Sequence, residues 1–172
     1  MTPDLQPTLQ SDALLLRPVR ESDWQALFAV AADAELWAQH PASDRYQEPV
    51  FRQFFDEALA AGSAFVVIDR ASNRIIGSSR YNDFDPAIRE IEIGWTILSR
   101  DYWGGDTNRE LKSLMLEHAF GFVETVVFWV GDSNRRSRRA LEKIGARCRD
   151  GLVERGGSPH VVYEISRNDW LR

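Results

Sequence analysis

The sequence predicts one mixed α/β domain over residues 1–172, with a central, largely antiparallel sheet flanked by helices. The 172-residue chain is long enough for one buried core and has no repeat or Pro/Gly-rich linker. Apolar residues make up 44% and charged residues 27%, which is typical of globular proteins. Segments with apolar periods of two and of 3.6 residues follow each other in the order β-α-α-β-β-β-α-β-α-β-β.

The first half of the chain predicts a strand, two helices and a hairpin. Residues 14–19 form a short apolar run, and Ser22 is a candidate N-cap for the helix that follows. After a loop at 41–49, apolar side chains recur at helical spacing through residue 59. Residues 64–68 and 74–81 predict two strands joined by a turn, with a loop at 82–86 behind them.

Residues 89–98 form the clearest strand in the sequence. A two-residue period predicts that four large apolar side chains share one face: Ile91, Ile93, Trp95 and Ile97. Glu92 lies on the other face beside Gly94, which removes a side chain there and often marks the close approach of a ligand. Glu92 is therefore a candidate general base, and the alternative is a solvent-facing strand residue.

The second half continues with two helices and three strands. Thr107 and Glu110 match a capping box for a helix through residue 122, and residues 125–130 predict a strand. A helix over 134–144 ends at Gly145, and strands are expected at 146–153 and 160–165.

Composition excludes several classes of protein. No run of eighteen apolar residues is present, so no membrane span is expected. The polar first residues lack a signal-peptide pattern. A lone cysteine, Cys148, fits a reducing cytoplasm, and the three histidines lie too far apart for a metal site.

The charge is unevenly distributed along the chain. The net charge is −5, yet residues 134–149 hold seven basic residues and only one acidic residue, a local +6 that leaves −11 for the rest. Such a concentrated basic stretch suggests an anionic ligand, and a solvated helix face is the alternative. Nucleic-acid binding is the weakest interpretation, because no aromatic residues are interleaved with these arginines.

A glycine turn links the strand 89–98 to the next helix. The first N–H groups of a helix have no internal partner and carry partial positive charge, so such a turn can bind an anion. Gly104 and Gly105 allow close approach of a ligand. In the helix after residue 133, Asn134 is a good N-cap and Ser137 is the one hydroxyl on the inward face.

These two segments resemble motifs of the GNAT superfamily, the GCN5-related N-acetyltransferases. The first is Glu92-Ile93-Gly94-Trp95 with the segment from Asp101 to Leu111, and the second is Asn134-Arg135-Arg136-Ser137 with residues 140–146. The Tyr-Trp-Gly start and the Asn-x-x-Ser pair are most similar to the Rim-type branch, which acetylates the N-termini of ribosomal proteins. The order of elements along nearly the whole chain agrees with that fold.

The resemblance implies an enzyme that moves an acetyl group from acetyl-CoA to a primary amine by direct transfer. Acetyl-CoA would lie between two splayed strands, with its pyrophosphate on the turn and its pantetheine along the strand. The basic helix face of Arg138, Arg139 and Lys143 would suit its adenosine phosphates. Glu92 would be the base, and Ser137 would assist departure of the thiolate. The implied cofactor-binding residues are Thr96, Ile97, Leu98, Trp103, Gly104, Gly105, Asp106, Thr107, Asn108, Asn134, Ser137 and Arg139.

Two positions depart from the family pattern. Asp106 stands where the phosphate turn usually has glycine, and Leu141 stands where a tyrosine often acts as general acid. Both favour the alternative of a CoA-binding or partner-binding module with little or no catalysis.

The acceptor is expected to be a small-molecule amine or a protein N-terminus, bound by a monomer or homodimer. It would enter near Asp83 and Asp85 and near four aromatic residues, for which core packing is the alternative: Trp24, Trp37, Tyr46 and Phe51.

Overall fold

The computed structural model describes residues 2–172 and contains one mixed sheet. Eight strands follow each other across it in the order β1-β2-β3-β4-β5-β6-β9-β7, and the short strand β8 pairs with β9. Every strand pair is antiparallel except β5 with β6. The strands are β1 (Leu9–Gln10), β2 (Leu14–Pro18), β3 (Ala64–Asp69), β4 (Arg74–Asp85), β5 (Glu90–Leu98), β6 (Thr125–Gly131), β7 (Arg147–Cys148), β8 (Val153–Arg155) and β9 (Ser158–Ser166).

Helices cover both faces of this sheet and bury two apolar clusters. Helix α3 packs on one face through Leu111, Met115 and Leu116, and α1 and α2 pack on the other through Leu27, Phe51 and Phe55. The predicted mixed α/β fold is therefore confirmed. The helices are α1 (Trp24–Ala31), α2 (Glu48–Ala61), α3 (Thr107–Ala119), α4 (Arg135–Lys143) and α5 (Arg167–Trp170).

Strands β5 and β6 separate after a short parallel contact. They pair only at Glu90–Glu92 against Thr125–Val127, and from Ile93 onward the edge of β5 that faces β6 has no strand partner. Because unpaired strand edges expose backbone donors and acceptors, this gap is a natural place for an extended ligand. The splayed strand pair anticipated from the sequence is present.

A β-bulge at Trp95 reverses the alternation of side chains in β5. The register with β4 shifts between Ser78–Ile97 and Arg80–Gly94, and Trp95 has a φ of +52°. Ile91 and Ile93 join the α3-side cluster, whereas Trp95 and Ile97 contact the α1–α2 cluster. The prediction that all four side chains share one face is therefore wrong, because one extra residue inverts a two-residue period.

Other predicted features also differ. The strand expected over 146–153 is instead two short strands, β7 and β8, separated by residues 149–152. Residues 82–85 continue β4, because pairing of Asn82 and Asp85 with β5 outweighs the turn preference of Asn and Asp. The predicted capping box is wrong: Asp106 occupies the N-cap position without a side-chain bond. The Glu110 carboxylate instead accepts a hydrogen bond from the Ser11 hydroxyl.

Ser22 does not cap α1, and the cap lies one residue further along. Ser22 belongs to a short 3-10 helix that precedes α1, and Asp23 is the N-cap residue. The Asp23 carboxylate accepts hydrogen bonds from the backbone N–H of Arg20 and from the Arg17 guanidinium. This ion pair anchors the start of α1 to the end of β2.

Gly77 lies where β4 approaches β5 most closely, and we expect Gly77→Ala to lower the free energy of unfolding by about 2 kcal/mol. A Cβ at this position would overlap the carbonyl oxygen of Ile97, which belongs to the backbone and cannot move aside cheaply. Urea denaturation measures the change. Gly105→Ala is the control, because its Cβ would have no atom within 4 Å. Equal stabilities of the two variants would contradict the close-approach argument.

Candidate functional site

The gap between β5 and β6 opens into a cavity of about 920 Å³. Its floor and walls come from β5, β6, the turn before α3 and the inner face of α4. It continues toward the segment between α1 and α2, where Trp37, His40 and Arg45 line its far end. One continuous space thus joins the glycine turn to a second, aromatic-lined compartment.

All the predicted cofactor residues line this cavity except Thr107, which faces elsewhere as the first residue of α3. Gly104 has a φ of +76°, a left-handed conformation that favours glycine. A Cβ on Gly104 or Gly105 would meet no atom within 4 Å, so this turn leaves room for a ligand. The Trp103 indole Nε1 donates to the Leu98 carbonyl oxygen (3.0 Å), which ties the turn to the end of β5.

Cationic side chains surround the glycine turn. The Arg136 guanidinium stacks 3.7 Å over the Trp103 ring. Arg138, in contrast, leaves the cavity and pairs with Asp132 (3.1 Å) and the Tyr163 hydroxyl. The only carboxylate among the lining residues is Asp106. The cations that line the cavity here are Arg109, Arg135, Arg136, Arg139 and Lys143.

Asn134 and Ser137 lie at the start of α4, as predicted. The Asn134 side-chain oxygen accepts a hydrogen bond from the Ser137 backbone N–H (3.3 Å), so Asn134 is the N-cap. The half-buried Ser137 hydroxyl lines the cavity and bonds no group within the described part of the chain. That hydroxyl is free to contact a ligand, and the role assigned to it stays a prediction.

Glu92 is buried, with 2% of its surface exposed, and it does not lie on the cavity wall itself. Arg155 donates to both of its oxygens (2.6 and 2.9 Å), and the Asn82 amide donates to Oε2 (3.0 Å). A Cβ on Gly94 would lie 3.2 Å from Oε1, so the missing side chain opens a path from the cavity to this carboxylate. Its catalytic role stays a prediction.

Two histidines that no sequence pattern singled out also line the cavity. The His160 Nδ1 lies 2.8 Å from the Ser158 carbonyl oxygen, which can only accept, so the neutral ring keeps an unprotonated Nε2. The His40 Nδ1 accepts from the Ala42 N–H, and burial together with nearby Arg45 lowers the pKa of His40 to about 4. His160 is therefore a second candidate for the proton acceptor, beside Glu92.

Lys112 is a further residue that the sequence analysis missed. It is 5% exposed, its Nζ donates to Thr96 Oγ1 (2.5 Å), and burial lowers its pKa to about 7. The burial of Lys112 could have been predicted from the sequence, because Lys112, Leu116 and Ala119 follow the i, i+4, i+7 spacing of a buried helix face.

The acceptor entrance differs from its predicted composition. Trp24 and Phe51 pack in the α1–α2 cluster, and Asp83 and Asp85 are exposed and outside the cavity lining. Of the four predicted aromatic residues, only Trp37 lines the cavity. Asp83 and Asp85 lie away from the site because β4 extends through Asp85, past the gap between β5 and β6.

Two features are absent from residues 2–172. No helix there is both long and apolar enough to cross a membrane. Nor do three or more His, Cys, Asp or Glu side chains come together where they could hold a metal ion.

The fold is similar to those of known acetyltransferases. A GCN5-related N-acetyltransferase from Brucella melitensis superimposes with a TM-score of 0.81 and 21% identity, over 96% of this chain and 81% of that one. Mycobacterium smegmatis RimJ in complex with CoA-disulfide gives 0.72 and 20%, over 96% and 88%. Spermidine N-acetyltransferase from Vibrio cholerae, in complex with CoA and spermine, gives 0.70 and 17%, over 94% and 100%.

The family model described as an acetyltransferase (GNAT) domain matches residues 13–147. These residues include both predicted motifs, the splayed strands β5 and β6, and the glycine turn. The matched region covers most of the chain and every residue that lines the cavity except His160. The chain therefore belongs to the GNAT acetyltransferase family.

Proposed function

We propose that the protein transfers an acetyl group from acetyl-CoA to a primary amine. The observation that carries this proposal is the continuous cavity, which joins an open glycine turn ringed by cations to the unpaired edge of β5. Two structurally similar acetyltransferases were solved with CoA or CoA-disulfide. The length of the cavity suits an extended ligand with an anionic end and a reactive end.

The anionic end of acetyl-CoA would lie at the glycine turn. Backbone N–H groups at the start of α3, with Arg109, Arg139 and Lys143, supply positive charge to the phosphates. The edge of β5 from Thr96 to Leu98 offers backbone groups to the amides of the pantetheine arm. Asn134 and Ser137 lie at the side of the gap that the thioester would reach.

In the transfer, the acceptor nitrogen attacks the thioester carbonyl, and the C–S bond breaks. A backbone N–H on the free edge of β5 would hold the oxyanion that develops. The proton lost from the amine passes to Glu92 through a water at the Gly94 opening, or to His160 Nε2. The Ser137 hydroxyl donates a hydrogen bond to the departing thiolate, because the Leu141 side chain has no group that could protonate it.

The direct test is a thermal-shift measurement with CoA, followed by acetyl transfer to a panel of amines. At 100 times the dissociation constant, CoA is expected to add about 2.7 kcal/mol to the stability. A CoA-induced shift without turnover of any amine would support the alternative of a non-catalytic CoA-binding module, which Asp106 and Leu141 favour. No shift at all would contradict both functions.

Asp106 is the one carboxylate in the lining, and it lies at the phosphate end. We expect Asp106→Asn to tighten CoA binding by about threefold, because an exposed like charge near the phosphates is removed. Titration calorimetry at low and high salt measures the change, and the gain should shrink at high salt. Weaker binding by the variant would mean that Asp106 contacts the ligand as an acceptor.

The proton-transfer roles predict different losses of rate. Replacing the true proton acceptor is expected to lower kcat by about 100-fold or more, whereas Ser137→Ala is expected to lower it by about tenfold. Steady-state kinetics of Glu92→Gln and His160→Gln identify which residue accepts the proton. If both retain kcat within a few-fold of the parent, neither residue is the base.

A further inference from the structure

The far end of the cavity, beside Trp37, His40 and Arg45, is where the acceptor amine would bind, and we call it the acceptor end. It is lined by a cationic side chain and by no carboxylate. Its walls are aromatic and basic, and Asp106, the lining carboxylate, belongs to the opposite end. Carboxylates are the groups that would hold a polyamine or any other polycation. The lining residues at the acceptor end are Leu36, Trp37, Gln39, His40, Arg45, Phe54, Trp95, Trp129 and His160.

Arg80 lies directly behind this wall and lacks an anionic partner. It is 9% exposed, its Nε has no hydrogen-bond partner, and no carboxylate of residues 2–172 pairs with its guanidinium. Its guanidinium stacks 3.6 Å over the Trp95 ring, which compensates only part of the lost hydration. A buried cation without an anion is costly, so its retention calls for a physical reason.

Arg45 lies in the cavity wall itself and is likewise without an ion pair in the described part of the chain. Its guanidinium packs against the Trp37 ring at 5.7 Å and the Phe54 ring at 5.1 Å. Phe54 and Arg80 also line the same small space behind the cavity wall. Burial lowers the pKa of Arg80, Glu57 and Glu92 raise it through space, and the charges of Arg45 and Arg155 lower it again.

The other charged groups near this end do not neutralise the two arginines. Glu92 is bonded to Arg155, and exposed Asp83 lies 4.0 Å from that same Arg155. Glu57 and Asp44 raise the pKa of Arg45 only through space, without forming an ion pair. His40 is neutral at pH 7, since its pKa lies near 4. Among the groups that line this end of the cavity, Arg45 is therefore a cation that no lining carboxylate neutralises.

We propose, resting on the proposed acetyl transfer, that the acceptor is a primary amine bearing a carboxylate, as an amino acid does. Arg45 binds the carboxylate directly from the cavity wall, and Arg80 attracts it from behind Trp95. The aromatic walls then hold the apolar side chain of the acceptor. The same positive charge disfavours the ammonium form of the amine and so helps to produce the neutral nucleophile.

Matched acceptor pairs test this proposal, because each pair differs only in the carboxylate. Phenylalanine is compared with 2-phenylethylamine, tryptophan with tryptamine, and leucine with 3-methylbutylamine, and spermidine is the cationic reference. We expect kcat/KM to be at least about tenfold higher for the carboxylate-bearing member of a pair. An aspartyl peptide amide separates a side-chain carboxylate from the α-carboxylate of a free amino acid.

Variants of Arg45 and Arg80 test the proposal through KM for individual acceptors. A merely structural role would not change KM for one acceptor and leave the other unchanged. Arg45→Gln should raise KM for phenylalanine at least about tenfold and leave KM for 2-phenylethylamine and acetyl-CoA unchanged. Arg80→Met should raise KM for phenylalanine less, while the free protein becomes no less stable. Arg74→Gln, an exposed position on the same strand, is the matched control.

Each outcome of these assays either supports or overturns the proposal that the acceptor bears a carboxylate. Equal or better use of the amines without a carboxylate, turnover of spermidine alone, or turnover of no member of any pair overturns the carboxylate proposal. The thermal shift with CoA separates this failure from that of the proposed function. Amine turnover without a carboxylate preference overturns only the inference, whereas turnover of no amine overturns acetyl transfer as well.

Discussion

Arg155→Met is expected to lower the free energy of unfolding by about 3 kcal/mol or more, although Arg155 lies in a short edge strand. The variant leaves Glu92 buried and without its counter-charge, and only the Asn82 amide remains to bond it. The Arg155 guanidinium also packs 4.0 Å from the Trp129 ring, and this contact would be lost. Urea denaturation at neutral pH measures the effect.

An exposed ion pair provides the control for this prediction. Arg147 pairs with Asp169 at 3.2 Å, and Arg147→Met should change the stability by less than about 1 kcal/mol because water screens the pair. In the double variant Glu92→Leu with Arg155→Met, both charges are removed, and most of the lost stability should return. A similar loss for Arg155→Met and Arg147→Met would show that Glu92 does not depend on Arg155.

Lys112→Met is expected to make the protein more stable by about 4 kcal/mol at pH 6 and by only about 1 kcal/mol at pH 9. Burial lowers the pKa of Lys112 from 10.5 to about 7, so the unfolded chain binds this proton more tightly than the folded protein does. The free energy of unfolding of the parent therefore rises with pH between about 7 and 10.5. The destabilisation by Lys112 reaches its full size below pH 7, where its amine is protonated in the folded protein as well as in the unfolded chain.

The loss of the hydrogen bond to Thr96 offsets about 1 kcal/mol of the gain at either pH. Denaturant titrations at pH 6 and pH 9 measure the difference between variant and parent. Lys143 is the only other lysine of the chain and is exposed, so Lys143→Met is a matched control without pH-dependent gain. A constant difference between Lys112→Met and the parent at both pH values would show that Lys112 is not titrating in this range.

Local signals explain why much of the glycine-turn end of the cavity was predictable. The strand before Trp103, the two glycines after it and the apolar period of α3 all act within a few residues of one another. The Asn134 cap and the left-handed Gly145 after α4 are local in the same sense, and both were confirmed. The family motifs consist of these same residues, so they were visible without any tertiary information.

Other features of the site depended on contacts between distant parts of the chain. Arg155 lies 63 residues from Glu92, and no pattern in the sequence links the two. The bulge at Trp95 changed which residues of β5 face α3, because it arises from the register with β4 and not from the composition of β5. The acidic entrance expected from Asp83 and Asp85 failed for a related reason, since pairing with β5 extended β4.

By itself, the sequence determined the fold class, the glycine turn, the helix cap and the family, since backbone preferences and apolar periods act over one or two turns of chain. Only the tertiary structure decided which charges are paired and which remain alone. It bonded Glu92 to Arg155 and, among residues 2–172, buried Lys112 without an anion and left Arg45 and Arg80 without an ion pair near the far end of the cavity. The free energy of a buried charge depends on every group packed around it, and those groups come from distant segments of the chain.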